Sequence, residues 1–156
     1  MITLRSDVFT PDGPIPAAHR GAGVGENRSP SLHWDGVDGE RIRALMIVLE
    51  DIDAPLPRPL VHTLAVLDPG TKRLSEGDLN APTASVQFAR AAFGRTGYQG
   101  PGPLPGHGAH RYFFELSALG IRLDHLTTAT DALRRAAGHV IARGRLVGVD
   151  ERGATG

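Results

Sequence analysis

The chain contains no cysteine. That excludes disulfide bridges, a thiol nucleophile and a thiolate-bound zinc ion, and it suits a reducing, cytoplasmic setting. No apolar run approaches the roughly 18 residues that a bilayer-spanning helix needs. The opening MITLRSDVFTPDGPIPAAH has neither an apolar h-region nor a small-residue cleavage site, so no secretory signal is expected. Net charge is missing as well, with 17 basic residues against 17 acidic ones. A whole-molecule field that would attract nucleic acid or an anionic membrane is therefore not expected, and any bound anion must be captured locally. The sequence shows no repeat, low-complexity segment or linker. Residues 1–156 read as a single domain, long enough to bury a large core.

What the chain does have is punctuation: 20 glycines and 12 prolines among 156 residues, well above the roughly 12% of average usage. Between the breakers lie short apolar runs. ALMIVLE (44–50) is nearly all apolar at strand length, the pattern of a strand buried on both faces. VHTLAVLD (61–68) and HRYFFELSAL (110–119) are two further strong strands, and MITLRSDVF, SPSLHWDGV (29–37) and GRLVGVDE (144–151) are weaker ones. Residues 75–96 carry weak signals and read as loop. The period changes near the C-terminus, where Leu133, Ala136, Ala137 and Val140 recur at three and four residues. This predicts a helix over about 129–138, capped by Thr128 or Thr130 and stopped near Gly138. The fold class is mainly β with one or two short C-terminal helices.

Polar residues gather at the strand ends. Asp51 and Asp53 follow the most buried strand, and their two-residue spacing places both on one face if the backbone stays extended. His62 opens the second strand; His110 and Tyr112, again two apart, open the third. Buried carboxylates cost several kcal/mol unless paired, so these ends belong at a cleft or in a polar network. Between residues 97 and 110 the chain reads GYQGPGPLPGHGAH, backbone that exposes unhindered N–H groups to a ligand. Two histidines, two carboxylates and a phenol suit three chemistries. They can hold a divalent metal, act as general acid and base in a hydrolase, or bind a phosphate-like anion through His, Tyr and backbone donors. No Gly-x-Ser-x-Gly elbow or compact His pair supports an enzyme. His19, His33, His125 and His139 read as surface or packing residues, and His107 as a loop neighbour of the site.

Taken in order, NRSPSLHW (27–34), DIDAP (51–55), VH (61–62), GYQGPGPLPG (97–106), HRYFFELSAL (110–119) and GHVIARGRLVG (138–148) resemble the phosphatidylethanolamine-binding proteins. This family is also called the Raf kinase inhibitor-like proteins, and the match is to its small bacterial and archaeal branch. The resemblance implies a Greek-key β-sandwich with a preformed anion pocket, no cofactor and no metal. It places Asp51, Asp53, His62, Gly100, Pro101, His110 and Tyr112 around that pocket and names phosphate or a phospholipid head group as ligand. It also implies a cis peptide at Ala54-Pro55, homodimerisation and a regulatory role toward kinases or proteases. The chain departs from the family pattern at Ile52, Gly102 and Leu104, and it has no Trp beside His62.

Overall fold

Alternating and continuous apolar runs fix the strands of the computed structural model, which describes residues 1–153. In chain order they are β1 (Thr3–Arg5), β2 (Leu32–Asp35), β3 (Ala44–Asp51), β4 (Leu60–Leu67), β5 (Arg73–Leu74), β6 (Val86–Phe88), β7 (Ala109–Leu119) and β8 (Val140–Glu151). One α-helix, α1 (Ala129–Ala136), precedes β8. All strand pairs are antiparallel. They form a small sheet in the order β1-β2-β5 and a large one in the order β6-β4-β3-β7-β8. Within the large sheet β7 returns to lie beside β3, giving the Greek-key order β7-β3-β4-β6.

The two faces of β3 enter different cores. Leu45, Ile47 and Leu49 point between the sheets, where they meet Leu4, Leu32, Trp34 and Leu74 of the small sheet and Phe114 and Leu116 of β7. Ala44, Met46 and Val48 point the other way and pack, with Leu64 and Val66, against Ala129, Ala132 and Ala136 of α1. This two-sided burial explains the unbroken apolar run: a strand covered on both sides has no solvent face to mark with polar residues. Each fully buried leucine adds about 1.5–3 kcal/mol of transfer free energy.

The helix begins as the sequence predicts, with the Thr128 side chain accepting from the Asp131 backbone N–H at 3.1 Å. It ends at Ala136; Ala137 is already extended (ψ 133°), and Gly138 takes a positive φ of 83°. That early stop frees Val140 to start β8, four residues before the sequence predicts, because Val140 and Ala142 find partners in Leu119 and Ala118. Residues 75–96, predicted as loop, contain β6 and a 3-10 turn at Ala92–Gly94. A three-residue strand is too short to show a period.

Replacing Thr128 with Ala removes the N-cap acceptor and is expected to lower unfolding free energy by about 1 kcal/mol. Urea denaturation of the two proteins measures it, with an unchanged slope showing that the unfolded state is the same.

Candidate functional site

β3 ends at Asp51, flanked in register by Leu60 of β4 and Tyr112 of β7. The pairing of β3 with β4 slips here: Leu49 faces Thr63 while Glu50 faces Val61, so His62 is the extra residue of a β-bulge. A bulge re-aims its side chain, and this one turns His62 into a cleft at the end of the large sheet. His110 reaches the same cleft from β7. The cleft encloses about 420 Å³, and Asp51, His62, Gln99, Gly100, Gly102 and His110 are among its lining.

The polar groups are tied together. His110 Nδ1 lies 2.7 Å from Asp51 Oδ2, both side chains being at most 5% exposed. A carboxylate only accepts, so Nδ1 carries the hydrogen and donates. The other carboxylate oxygen of Asp51 accepts the backbone N–H of Asp53 at 2.9 Å. His62 Nδ1 donates to the carbonyl of Gln99 at 3.1 Å, with the Gly100 backbone also close to the ring, which leaves Nε2 as the nitrogen available to a ligand. Burial pushes the His62 pKa down, against the backbone of Gln99 and the charge of Asp51, which raise it. Tyr112 lies beneath, with its ring edge-on to His62 (centroids 5.7 Å apart) and nearly parallel to His110 (6.4 Å). Its hydroxyl is fully buried with Asp51 and the Gly102 backbone as polar neighbours, but neither meets it in regular hydrogen-bond geometry. Burial, followed by the charges of Asp51 and Asp150, pushes the phenol pKa up, so Tyr112 keeps its proton and remains a donor.

The wall over these residues is the Gly-rich segment, and it is held by hydrogen bonds. Gln99 N–H donates to Thr63 Oγ1 (3.0 Å), Gly100 N–H to Asn27 Oδ1 (2.8 Å) and Tyr98 O–H to the His19 carbonyl (2.5 Å). Gly21 N–H donates to the Pro101 carbonyl at 2.7 Å, so two glycine-containing loops cross backbone to backbone. A Cβ on Gly100 would stand 2.3 Å from the His19 carbonyl oxygen, whereas one on Gly102 would meet nothing closer than Val24 at 3.9 Å.

Of the seven residues assigned from the sequence, Asp51, His62, Gly100 and His110 line the cleft. Tyr112 underlies it, and Pro101 is buried in the loop crossing. Asp53 is placed elsewhere. The chain turns after Asp51, so the two carboxylates do not share a face, and Asp53 instead grips Arg111, accepting from its backbone N–H (2.8 Å) and its guanidinium (2.9 and 3.0 Å). That hydrogen bonding holds the Asp53 carboxyl down to about 2. The peptide before Pro55 is trans, in contrast to the cis bond that the resemblance implies. With Ile52 between the acids, the turn closes through the Leu56 N–H to the Ala54 carbonyl (2.7 Å) around Pro55.

Several contributors escaped the sequence reading. The missing Trp is answered from three other segments, since Leu56, Phe93 and Leu104 line the cleft and are 54%, 84% and 56% exposed. Phe93 sits in a left-handed conformation (φ 59°), and Arg95 brings a cation to the same rim. Behind His110, its register partner Asp150 forms a largely buried pair with Arg20 at 2.9 Å. Burial raises the Asp150 pKa against that pairing. A larger groove of about 870 Å³ lies along the β3, β4 and β6 end of the sheet, but its Arg122 and Asp124 are exposed and pair with each other.

The sequence profile described as "Phosphatidylethanolamine-binding protein" matches residues 5–150. The chain belongs to that family. Its bacterial and archaeal branch includes a UPF0098 protein of Methanothermobacter thermautotrophicus, 37% identical over 97% of this chain and the whole of the relative. Among solved structures, a phosphatidylethanolamine-binding protein homologue from Chlamydia trachomatis superposes with TM-score 0.83 at 28% identity, covering 97% of each chain. Escherichia coli YbcL superposes with TM-score 0.85 at 23% identity, over 96% of this chain and 98% of its own, a likeness of fold. These relatives thus share this frame, and in this chain it brings the side chains of Asp51, His62 and His110 to one cleft.

Two outcomes follow from the geometry. Gly100→Ala forces backbone apart and is expected to cost about 1–3 kcal/mol, whereas Gly102→Ala stays within about 0.5 kcal/mol; thermal denaturation of both variants compares them. His62 has a lowered pKa in the folded state, so the unfolded chain binds the extra proton first. Its contribution is complete above the unfolded value of about 6.5 and is lost as pH falls toward the folded value. His62→Gln should therefore flatten the decline of stability below neutral pH in a urea-denaturation series.

Proposed function

We propose that this protein binds a small anion, phosphate or a phosphoryl head group, in the cleft between His62, His110 and the 97–104 loop, and that it acts as a binding protein without catalysing a reaction. The observation that carries this reading is the Tyr112 hydroxyl, buried beneath the cleft with Asp51 and the Gly102 backbone near it but no well-formed hydrogen bond. A buried unsatisfied donor costs about 1–3 kcal/mol, and an anion oxygen would satisfy it. His62 Nε2 is the second donor once that ring is protonated, Gly102 offers unhindered backbone, and Arg95 supplies positive charge at the rim. Asp51 does not oppose the anion freely, because both of its oxygens are engaged by His110 and the Asp53 backbone. The exposed Leu56, Phe93 and Leu104 suit an organic substituent on the bound group. The metal-dependent alternative lacks its ligand set, since among the described residues no three His, Asp or Glu side chains converge as a metal site requires. Among the described residues no helix is long and apolar enough to cross a membrane.

Calorimetric titration with phosphate and with phosphorylethanolamine tests the reading. Tyr112→Phe and His62→Ala should each weaken binding about tenfold or more, the value of a hydrogen bond to a charged group. Tyr112→Phe should do so with little loss of stability, because the hydroxyl it removes makes no well-formed hydrogen bond in the free protein. Asp53→Asn should leave affinity within about twofold and lower stability by no more than about 1 kcal/mol, since its pair with Arg111 lies at the surface. Millimolar phosphate that leaves the His62 and His110 resonances unmoved would contradict the proposal. Affinity for sulfate, whose charge is constant across the range, should rise as pH falls into the acidic range where His62, its pKa lowered by burial, takes up a proton.

A further inference from the structure

One short segment of the cleft wall does something the anion reading does not require. Gly106-His107-Gly108 leaves the 97–104 loop and turns back toward β7, both glycines adopting positive φ (71° and 87°). A Cβ on Gly108 would meet nothing, so its conformation, and not crowding, is the reason for a glycine there. The double turn brings the exposed His107 over His110. Its Nδ1 lies 2.7 Å from His110 Nε2, and the two ring centroids are 5.0 Å apart at 70°. His107 is not among the residues lining the cleft.

Hydrogen counting assigns the roles. Asp51 fixes the hydrogen of His110 on Nδ1, so in the neutral ring Nε2 is an acceptor and His107 Nδ1 donates to it. Were His110 to carry a second proton, its Nε2–H would still be directed at His107. In either state Nε2 is engaged while His107 stays in place; once it leaves, the neutral ring accepts from a phosphate O–H and the protonated ring donates to a phosphate oxygen. The other groups around this pair do not free it. Asp150 on β8 is held by Arg20, His62 on β4 by Gln99, and the Tyr112 ring lies alongside.

The geometry points to His107 as a latch on the anion site, a ring that occupies the second nitrogen of His110 until a ligand displaces it. The inference rests on the anion reading above and adds a regulator of that same site. The displaced state is within reach, because His107 is exposed and its ring can rotate away from the partly buried His110 while Gly106 N–H stays on the Arg152 carbonyl (2.9 Å) and His107 N–H on that of Leu104 (3.1 Å). Binding then divides into opening the latch and filling the cleft, and the apparent affinity is reduced by the closed fraction.

Inorganic phosphate is the probe, titrated into the full chain and into His107→Ala. Loss of one partly exposed hydrogen bond that the ligand must otherwise break is expected to tighten binding about three- to tenfold. Nitrogen-15 NMR of the wild-type imidazoles gives a second readout that needs no variant. At saturation the His107 signals should move to those of a free imidazole while the His110 Nδ1 hydrogen remains on Asp51. If the wild type binds phosphate and His107→Ala binds it no better, or if the His107 signals do not move at saturation, the latch is wrong and the anion site stands. If neither protein binds, the anion reading falls and the latch falls with it.

Discussion

The site depends on a buried carboxylate that ends the central strand. Asp51 closes a run of apolar residues and lies almost wholly out of water, a position costing several kcal/mol for an unpartnered charge. Its partners come from the chain immediately around it: the backbone N–H of Asp53 satisfies one oxygen and His110, across the β3–β7 pair, satisfies the other. One consequence is local, since the hydrogen bond from Asp53 starts the turn and directs the chain out of the sheet. Another is chemical, since the bond to His110 fixes that ring's tautomer and orientation. Removal of either partner leaves a buried acceptor unpaired, so the end of β3, the turn and the start of β7 behave as one unit.

A second constraint is steric. The cleft exists because two loops distant in sequence pass within hydrogen-bonding distance at Gly21 and Gly100, where neither could carry a Cβ without meeting the other's backbone or that of His19. Asn27, Thr63 and His19 then hold residues 98–100 in place. Prolines stiffen this wall, and glycines give it contact with its neighbour and, at Gly106 and Gly108, its turn. The wall of residues 98–100 faces the cleft, and the turn beyond it carries the exposed His107. That division suits a site whose donors are preorganised and whose one cover is removable.

Most of the fold was legible in the sequence because apolar density does the specifying. β3, β4 and β7 are each long enough to show their burial, and Thr128 shows the helix start. The elements that were not legible are short and held by contacts from elsewhere: β6 has three residues, and the turn bearing Phe93 has no local signature. At the site, His62, His110 and Tyr112 were legible as polar interruptions of apolar strands. Asp53 was misplaced because the two-residue rule assumes extended backbone, and the backbone turns at Ile52. His62 faces the cleft through a bulge that spacing cannot reveal. Phe93, Arg95 and the Arg20–Asp150 pair come together only after folding, and the hydrogen bond of His107 depends on two glycine conformations that are visible only in three dimensions.

The proposed anion site has the buried Tyr112 hydroxyl and His62 Nε2 as its floor. A crystal structure of the chain grown or soaked in saturating phosphate tests it most directly. Tetrahedral density within hydrogen-bonding distance of both atoms, with His110 still on Asp51, is the expected result. Phosphate ordered elsewhere, with only water in the cleft against Tyr112, would contradict it.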